Sequence, residues 1–274
     1  MANDFQKKTF QTSDNCAISY TLRPAGKVGA PRLALVHSLA LSGTIWNGVA
    51  ARLADQAEIL TYDCRGHGHS GRIASHFTTD LFAKDLAELL DHVGWPAAVV
   101  AGCSMGGCVA QAFAGRYPAR VNALGLIDTT AWYGPDAPKN WKERAGVART
   151  KGLAGMVDFQ ASRWFSDRYR AEHPGPAKEM TEVFLANDVE CYASTCVMLG
   201  EADLRPFLPS MRMPVAVIVG DEDYATPVAM ARQLHEAIQG STLTVIPGGR
   251  HLTPVECPDQ IAEQLSTLLR RANS

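Results

Sequence analysis

Short apolar segments recur along the chain, and amphipathic segments lie between them. The apolar segments are rich in Val, Leu, Ile and Ala with little polar alternation, which is typical of strands covered on both faces. They occupy residues 32–37, 57–63, 97–103, 121–128, 215–220 and 243–246. Residues 80–93 and 259–271 instead place their apolar side chains on one helical face. Strands that alternate with helices predict an α/β fold with a doubly wound, mostly parallel sheet.

Two parts of the chain depart from this alternation. Residues 9–12 and 17–23 flank a Ser-Asp-Asn turn, and we expect a hairpin of antiparallel edge strands there. The stretch 129–212 has no strong strand pattern but contains helical segments, many prolines and three of the five tryptophans. We therefore predict a core domain of residues 1–130 and 213–274 and an inserted helical cap of residues 131–212. Because open α/β sheets bind ligands at the carboxyl ends of their strands, such a cap would cover the site.

The composition narrows the class of protein. A chain of 274 residues, of which 46% are hydrophobic, is long enough for one large domain with an inserted subdomain. The formal net charge is −2 and no block of Lys and Arg occurs, which argues against a nucleic-acid partner. The first ten residues lack the apolar core of a secretory signal, so we expect a cytoplasmic protein.

One uncharged stretch, residues 93–115, is long enough in principle to cross a bilayer. It contains five glycines, a proline and a glutamine, so a buried strand followed by a buried helix explains it better, and we expect no membrane partner. The seven cysteines are odd in number and scattered, with no zinc-like spacing of Cys and His. We therefore expect free, mostly buried thiols and no metal site.

Residues 99–107 read VVAGCSMGG and contain the pattern Gly-x-Ser-x-Gly between a predicted strand and a predicted helix. In such a sharp turn, the residues two positions before and after the serine must be very small to avoid clashes. The Ser104 hydroxyl would lie at a helix N-terminus, where free N–H groups and the helix dipole favour developing negative charge. We predict that Ser104 is a nucleophile. The alternatives are an ordinary tight turn and nucleophilic Cys103, whose side chain should instead point into the core.

A serine nucleophile needs a base, and the base needs an acid that orients it. We predict His251 as the base, because it lies in a glycine-rich loop after the last strand and completes the chain order Ser, acid, His. Three acidic residues follow the strand at 215–220: Asp221, Glu222 and Asp223. We favour Asp223, because the pattern G-x-x-D-x-x-T-P sets its acid three residues past the glycine. Asp128, at the end of the preceding strand, is the alternative.

The same chemistry requires two backbone N–H donors for the oxyanion. The residue after the nucleophile, Met105, supplies the first. The loop after the strand at 32–37 lies where the second donor is needed, and we predict Leu39 for that role. The loop would then act through its backbone, with His37 shaping it.

Five motifs occur along the chain in a fixed order: LVHSLALSGTIW (35–46), YDCRGHGHSG (62–71), GCSMGG (102–107), GDEDYATP (220–227) and GGRHLTPVE (248–256). In this order they resemble the motifs of the α/β-hydrolase fold family, and the match spans nearly the whole chain. Within this family the chain most resembles the 3-oxoadipate enol-lactonases of aromatic catabolism, whose first loop tends to have a polar residue followed by Ser-Leu, as in His37-Ser38-Leu39.

This resemblance implies hydrolysis of a cyclic ester by Ser104 through an acyl-enzyme, without a metal or a cofactor. The substrate would be a small molecule, and we name four residues as candidate contacts with it: Ser38, Trp132, Arg163 and Trp164. A lactone derived from a dicarboxylate would also favour cationic contacts. Four arginines of the cap are candidates for such contacts: Arg144, Arg149, Arg163 and Arg205.

Other functions remain open at this point. The aromatic residues at 131–133 leave room for a bulkier, more apolar ester or lactone, as in a carboxylesterase. A C–C bond hydrolase of ring-cleavage products, or a haloperoxidase-like or perhydrolase activity, would use the same three residues. A ligand-binding receptor with slow turnover is the alternative from another class.

Overall fold

The computed structural model describes residues 6–27 and 29–272. Eight strands form one sheet in the order β1-β2-β4-β3-β5-β6-β7-β8. Their bounds are Lys8–Gln11 (β1), Ala17–Arg23 (β2), Arg32–Val36 (β3), Glu58–Tyr62 (β4), Ala98–Cys103 (β5), Val121–Ile127 (β6), Val215–Gly220 (β7) and Thr242–Ile246 (β8). Every predicted strand is present, with bounds that differ from the prediction by one residue at most.

The strand pairing confirms the predicted fold class. Six of the strands pair in parallel, each with its neighbour in the sheet, in the order β4-β3-β5-β6-β7-β8. β1 and β2 form the predicted antiparallel hairpin. The prediction that both are edge strands is wrong for β2, because β2 also pairs with β4, with Tyr20 opposite Tyr62.

Helices cover both faces of the sheet, as a buried parallel sheet requires. Their bounds are Asn47–Leu53 (α1), Thr79–His92 (α2), Met105–Arg116 (α3), Ala137–Lys151 (α4), Val157–Trp164 (α5), Asp167–Glu172 (α6), Pro174–Leu185 (α7), Val189–Glu201 (α8), Val228–Ala237 (α9), Thr253–Glu256 (α10) and Pro258–Arg271 (α11). The Thr78 side chain caps α2 by accepting a hydrogen bond from the Leu81 N–H. Both predicted amphipathic helices, now α2 and α11, are present and bury their apolar faces.

The strand order fixes where a ligand site can form. The chain passes from β3 to its neighbour β4 and then crosses to β5 on the other side of β3. The connections at the carboxyl ends of β3 and β5 therefore run in opposite directions, and they leave a crevice between them. The residues that follow these two strands are the first loop, from His37, and Ser104.

Helices α4 to α8 lie in the chain between β6 and β7, in the segment predicted to form the cap. Among the described residues of this segment, the only extended pairing is a bridge between Trp132 and Asp203, which is not part of the sheet. Helices α4 and α8 pack against each other, and the Asp188 side chain caps α8 by accepting from the Cys191 N–H. The division into a core and a cap at residues 131 and 212 stays a prediction.

The uncharged stretch at 93–115 is divided between β5 and α3, both of which are almost completely buried. Over residues 6–27 and 29–272, no helix has the length and apolar character that crossing a bilayer requires. All seven cysteines are unpaired, and six of them are buried.

Candidate active site

Ser104 lies in a strained turn between β5 and α3. Its φ of 56° and ψ of −116° place a non-glycine residue in a sparsely populated region of conformational space. The two flanking glycines make the turn possible. A Cβ atom on Gly102 would lie 2.0 Å from the Gly106 carbonyl oxygen, and one on Gly106 would lie 2.2 Å from the Val36 carbonyl oxygen. The turn therefore requires both glycines, as the sequence pattern predicts.

A chain of hydrogen bonds joins Ser104, His251 and Asp223. His251 Nε2 is 2.9 Å from Ser104 Oγ, and His251 Nδ1 is 2.8 Å from Asp223 Oδ2. Because an ionised carboxylate can only accept, we assign the ring proton to Nδ1, which leaves Nε2 free to accept from the serine hydroxyl. All three residues are at least nine-tenths buried, so water competes little for these bonds.

Asp223 is held by donors from its own loop. Its Oδ1 accepts from the N–H groups of Ala225 and Thr226 at 2.7 and 2.9 Å, and its Oδ2 accepts from the Thr226 hydroxyl at 2.8 Å. Burial alone would favour the neutral acid. The interactions with His251 and Thr226 outweigh it, so the pKa of Asp223 lies below its ordinary value. The carboxylate is thus fixed and ionised beside the imidazole.

The other acidic candidates make different contacts. Asp128 Oδ2 accepts from the Thr253 N–H and hydroxyl, and its Oδ1 accepts from the Gly220 N–H. Burial and the nearby charge of Asp223 raise the pKa of Asp128 well above its ordinary value. Asp221 and Glu222 are exposed. Asp221 accepts from the Gly248 N–H, and Glu222 accepts from the Arg250 guanidinium. Only Asp223, of these four carboxyl groups, is hydrogen-bonded to His251 in the described chain.

Cys103 also lies where the sequence places it. Its side chain is fully buried, and its thiol donates to the His251 carbonyl oxygen at 3.8 Å. Burial raises the pKa of the Cys103 thiol well above its ordinary value, which disfavours the thiolate form that would react. The structure thus gives no support to Cys103 as the nucleophile.

The loop after β3 faces Ser104 across the crevice. Leu39 and Ser38 line the same cavity as Ser104 and His251, and Ala40 has a φ of 57° that turns the backbone sharply. Among the hydrogen bonds of residues 6–27 and 29–272, none uses the N–H of Leu39 or the N–H of Met105. Both groups are therefore available to a substrate oxygen, as the predicted oxyanion role requires.

The buried His37 holds this loop in place, and the buried His67 packs against its ring. His37 Nδ1 donates to the Ser38 carbonyl oxygen at 2.7 Å, and its Nε2 accepts from the Cys64 N–H at 2.8 Å. Burial lowers the pKa of His37, and burial together with the nearby His37 lowers the pKa of His67 to about 3. The two rings lie 5.2 Å apart and are neutral at pH 7. His37 therefore supports the loop and does not contact Ser104.

The cavity has a volume of about 550 Å³ and is lined by aromatic and cationic residues as well as by Ser104 and His251. The predicted contact residues Ser38, Arg163 and Trp164 line it. Trp164 also contacts the site through its backbone, because its carbonyl oxygen accepts from the N–H groups of His251 and Leu252. The end of helix α5 is thereby joined to the loop that carries His251.

Trp132, by contrast, does not line this cavity, so its predicted substrate contact is corrected. The Arg205 guanidinium lies 3.8 Å from the centre of the Trp132 ring, and Trp132 pairs with Asp203 through its backbone. These contacts direct the indole into a separate surface groove next to Leu208. Arg205 belongs to the same groove and pairs with Asp203, while Arg149 pairs with Glu190. Neither arginine reaches the cavity.

Helix α4 supplies Arg144, one of the candidate arginines named above, and further lining residues that the sequence does not point to. Trp141, Arg144, Val147 and Lys151 lie three or four residues apart on one face of α4 and line the cavity, together with Tyr133. This spacing is a signal of a common helical face. It does not tell which face meets the cavity, because that depends on how α4 packs against α8.

No group of three or more His, Cys, Asp and Glu side chains suited to a metal ion occurs within the described part of the chain. The prediction that the reaction needs no cofactor stays a prediction.

Comparisons with known proteins agree with this architecture. A family model described as alpha/beta hydrolase fold matches residues 31–258. The chain is 32% identical to 3-oxoadipate enol-lactonase 2 of Acinetobacter baylyi, over 98% of this chain and 99% of that protein.

Two crystal structures are also similar. The enol-lactonase from Burkholderia xenovorans LB400 has 30% identity and a TM-score of 0.91, over 96% of this chain and all of that one. A thermophilic esterase from Thermogutta terrifontis with malate bound has 28% identity and a TM-score of 0.90, over 98% of this chain and all of that one. The predicted fold and the predicted resemblance are confirmed, and the chain belongs to the α/β-hydrolase fold family.

Proposed function

We propose that the protein is a serine hydrolase that opens a lactone through an acyl-enzyme, with 3-oxoadipate enol-lactone or a close analogue as substrate, in aromatic catabolism. The observation that carries this proposal is the hydrogen-bonded chain from Ser104 through His251 to Asp223, because Ser104 and His251 line a cavity that can take a substrate. The relatives named as enol-lactonases and the similar esterase support carboxylic-ester hydrolysis as the reaction class.

In the first half of the reaction, Ser104 Oγ attacks the lactone carbonyl carbon while His251 Nε2 takes the hydroxyl proton. The carbonyl oxygen becomes an oxyanion, which the N–H groups of Leu39 and Met105 stabilise. The ring C–O bond then breaks, and the leaving enol oxygen takes the proton from His251. Because the substrate is cyclic, the leaving group stays attached to the acyl chain on Ser104.

In the second half, a water molecule attacks the acyl carbon and gives its proton to His251. The bond to Ser104 Oγ breaks, the serine regains a proton, and the open-chain acid leaves. Asp223 stabilises the imidazolium in both halves and keeps its tautomer correct. Every step uses side chains that are already within hydrogen-bond distance of one another.

We also propose that residues 131–212 act as a cap on a core of residues 1–130 and 213–274. Helices α4 and α5 of this segment line the cavity, and the Trp164 carbonyl oxygen binds the loop that carries His251. Substrate selection would then depend on the cap, while the reacting residues belong to the core. A reducing, cytoplasmic location is proposed from the seven unpaired cysteines.

A second candidate is a carboxylesterase that acts on a bulkier, more apolar ester. The observation in its favour is the aromatic lining from Tyr133, Trp141 and Phe159, in a cavity of about 550 Å³ that exceeds the needs of a five-membered lactone. A C–C bond hydrolase would also need a cavity larger than a five-membered lactone requires. A panel of substrates separates these candidates.

The test compares wild type, Ser104→Ala and Ser266→Ala on an enol-lactone, a simple aryl ester and a dienone acid. We expect wild type and Ser266→Ala, which removes a half-buried hydroxyl on α11 outside the cavity, to open the lactone with acid release. Ser104→Ala should lose about 10⁴-fold or more in turnover and all labelling by a fluorophosphonate. Turnover that survives in Ser104→Ala would refute the serine mechanism. A wild type that cleaves only the aryl ester or only the dienone acid would refute the lactonase proposal.

A further inference from the structure

Two arginines line the cavity that contains Ser104, and neither has an acidic partner. Arg144 and Arg163 both lie on this lining, on helices α4 and α5. Over the described residues 6–27 and 29–272, no carboxylate forms an ion pair with either guanidinium. From this arrangement we infer that Arg144 and Arg163 form one anion-binding subsite, which holds a free carboxylate of the substrate away from the bond that Ser104 attacks.

Several arginines nearby differ from these two residues in having acidic partners. Three other arginines nearby are paired: Arg149 with Glu190, Arg205 with Asp203, and Arg250 with Glu222 and Asp167. Arginine is almost always charged, and a partly buried charge is stabilised by a counter-ion. A cavity that holds two such cations and leaves them without a carboxylate is suited to an anionic ligand.

Arg144 is held in one orientation by neutral groups. Its Nε donates to the Tyr192 hydroxyl at 2.7 Å, and its Nη2 donates to Gln160 Oε1 at 2.9 Å. The guanidinium also lies 4.8 Å from the centre of the Trp141 ring. These partners fix the group without neutralising its charge, so its remaining N–H donors are preorganised for a ligand.

Arg163 is bound less tightly. No hydrogen bond joins its guanidinium to any part of the chain that the structure describes, and the group lies between the rings of Phe159 and Tyr224, at 5.0 and 5.2 Å from their centres. Burial and the positive charge of Arg144 both lower the pKa of Arg163. This mutual repulsion is relieved when a carboxylate binds between the two groups.

The inference rests on the proposed hydrolase function and adds a substrate requirement to it. The enol-lactone of a dicarboxylic acid uses one carboxyl group in its ring and keeps the other free. A planar carboxylate accepts two parallel hydrogen bonds from a guanidinium, and the aromatic surroundings exclude competing water. The subsite would therefore select anionic esters and lactones over neutral ones of the same size.

A matched pair of aryl esters tests this selection without depending on lactonase activity. The mono-4-nitrophenyl ester of adipic acid carries a free carboxylate, and 4-nitrophenyl hexanoate has the same acyl length and no charge. We expect Arg163→Met to lower the ratio of kcat/KM for the anionic over the neutral ester by about 10- to 100-fold, mostly through KM. Arg163→Lys should lose less, because it keeps the charge. The matched control is Arg149→Met, which removes an exposed arginine paired outside the cavity and should leave the ratio unchanged.

A measurement without turnover keeps the test independent of catalysis. Adipate should bind to Ser104→Ala in a calorimetric titration, and its Kd should rise by about 10-fold or more when Arg163→Met is added. Equal losses on both esters, or an adipate affinity that Arg163→Met does not change, would overturn the subsite. If wild type prefers the anionic ester and yet opens no lactone, the subsite stands and the lactonase proposal fails.

Discussion

Asp223 and Asp128 are both buried carboxyl groups that follow neighbouring strands, and the sequence offers both as partners of His251. Their contacts separate them. Asp223 accepts from the His251 ring, whereas Asp128 joins the end of β7 to the start of α10 by accepting from Gly220 and Thr253. We therefore propose Asp223 as the catalytic acid and a stabilising role for Asp128.

The substitutions Asp223→Asn and Asp128→Asn test this division. An amide at 223 can donate to His251 Nδ1 and so favour the wrong tautomer, which should lower kcat by about 10⁴-fold with little change in unfolding. An amide at 128 keeps only one oxygen for the three donors that bind Asp128, so at least one donor loses its acceptor. This loss should cost about 1–3 kcal/mol of unfolding free energy, while kcat falls less than about 10-fold. Steady-state kinetics and urea unfolding of both variants give the comparison, and the reversed pattern would exchange the two roles.

At the scale of elements, the turn between β5 and α3 depends on a close approach of α3 to β3. The backbone of Gly106, in the first turn of α3, lies against the carbonyl oxygen of Val36 at the end of β3. This contact places the N-terminus of α3, and with it the Met105 N–H, beside the loop that carries Leu39. A side chain at position 106 would push the two elements apart.

Gly106→Ala should therefore destabilise the protein, because its Cβ would lie 2.2 Å from the Val36 carbonyl oxygen. We expect a loss of about 2–3 kcal/mol or more in unfolding free energy, together with a fall in kcat as the oxyanion donors separate. Gly146→Ala in α4 is the matched control, because no atom lies within 4 Å of its added Cβ. That variant should gain up to about 1 kcal/mol from helix propensity. Equal stability of the two variants in urea would contradict the close approach.

At the scale of the whole molecule, the sheet could be predicted from the sequence because the parallel strands are short, mostly apolar segments and β1 and β2 flank a recognisable turn. The positions of Ser104 and His251 could be predicted for a similar reason, since each lies in a short pattern fixed by local geometry. Trp132 and Trp141 could not be told apart in this way. Their orientation depends on distant segments, namely the bridge to Asp203 for Trp132 and the packing of α4 on α8 for Trp141.

The same limit applies to Arg144. Its place in the cavity is fixed by Tyr192 and Gln160, which come from two other helices of the predicted cap. The sequence of residues 131–212 contains seven arginines and gives no sign of which of them have acidic partners. Contacts between residues far apart in the chain decide that, and local patterns do not encode them.

A buried ion pair shows how such long-range contacts hold the molecule together. Arg65, which follows β4, donates two hydrogen bonds of 2.6 Å to Asp85 in α2 and two more to Asp14 in the β1–β2 turn. The side chains of Arg65 and Asp85 are only 4% and 3% exposed. Removing Asp85 leaves the buried charge of Arg65 with only the half-exposed Asp14 as its counter-ion, whereas removing both Arg65 and Asp85 leaves no charge of this pair in the interior.

Asp85→Asn should therefore cost about 3–5 kcal/mol of unfolding free energy in urea at pH 7. Asp80→Asn is the control on the same helix, because Asp80 and its partner Arg116 are 49% and 53% exposed. The control should cost at most about 1 kcal/mol, since water screens an exposed pair. The double variant Arg65→Met/Asp85→Leu should recover part of the loss, because both charges leave the interior together. If the double variant is less stable than Asp85→Asn, the loss of stability comes mainly from altered packing and not from the unpaired charge. The ion pair is then not what joins the hairpin to α2.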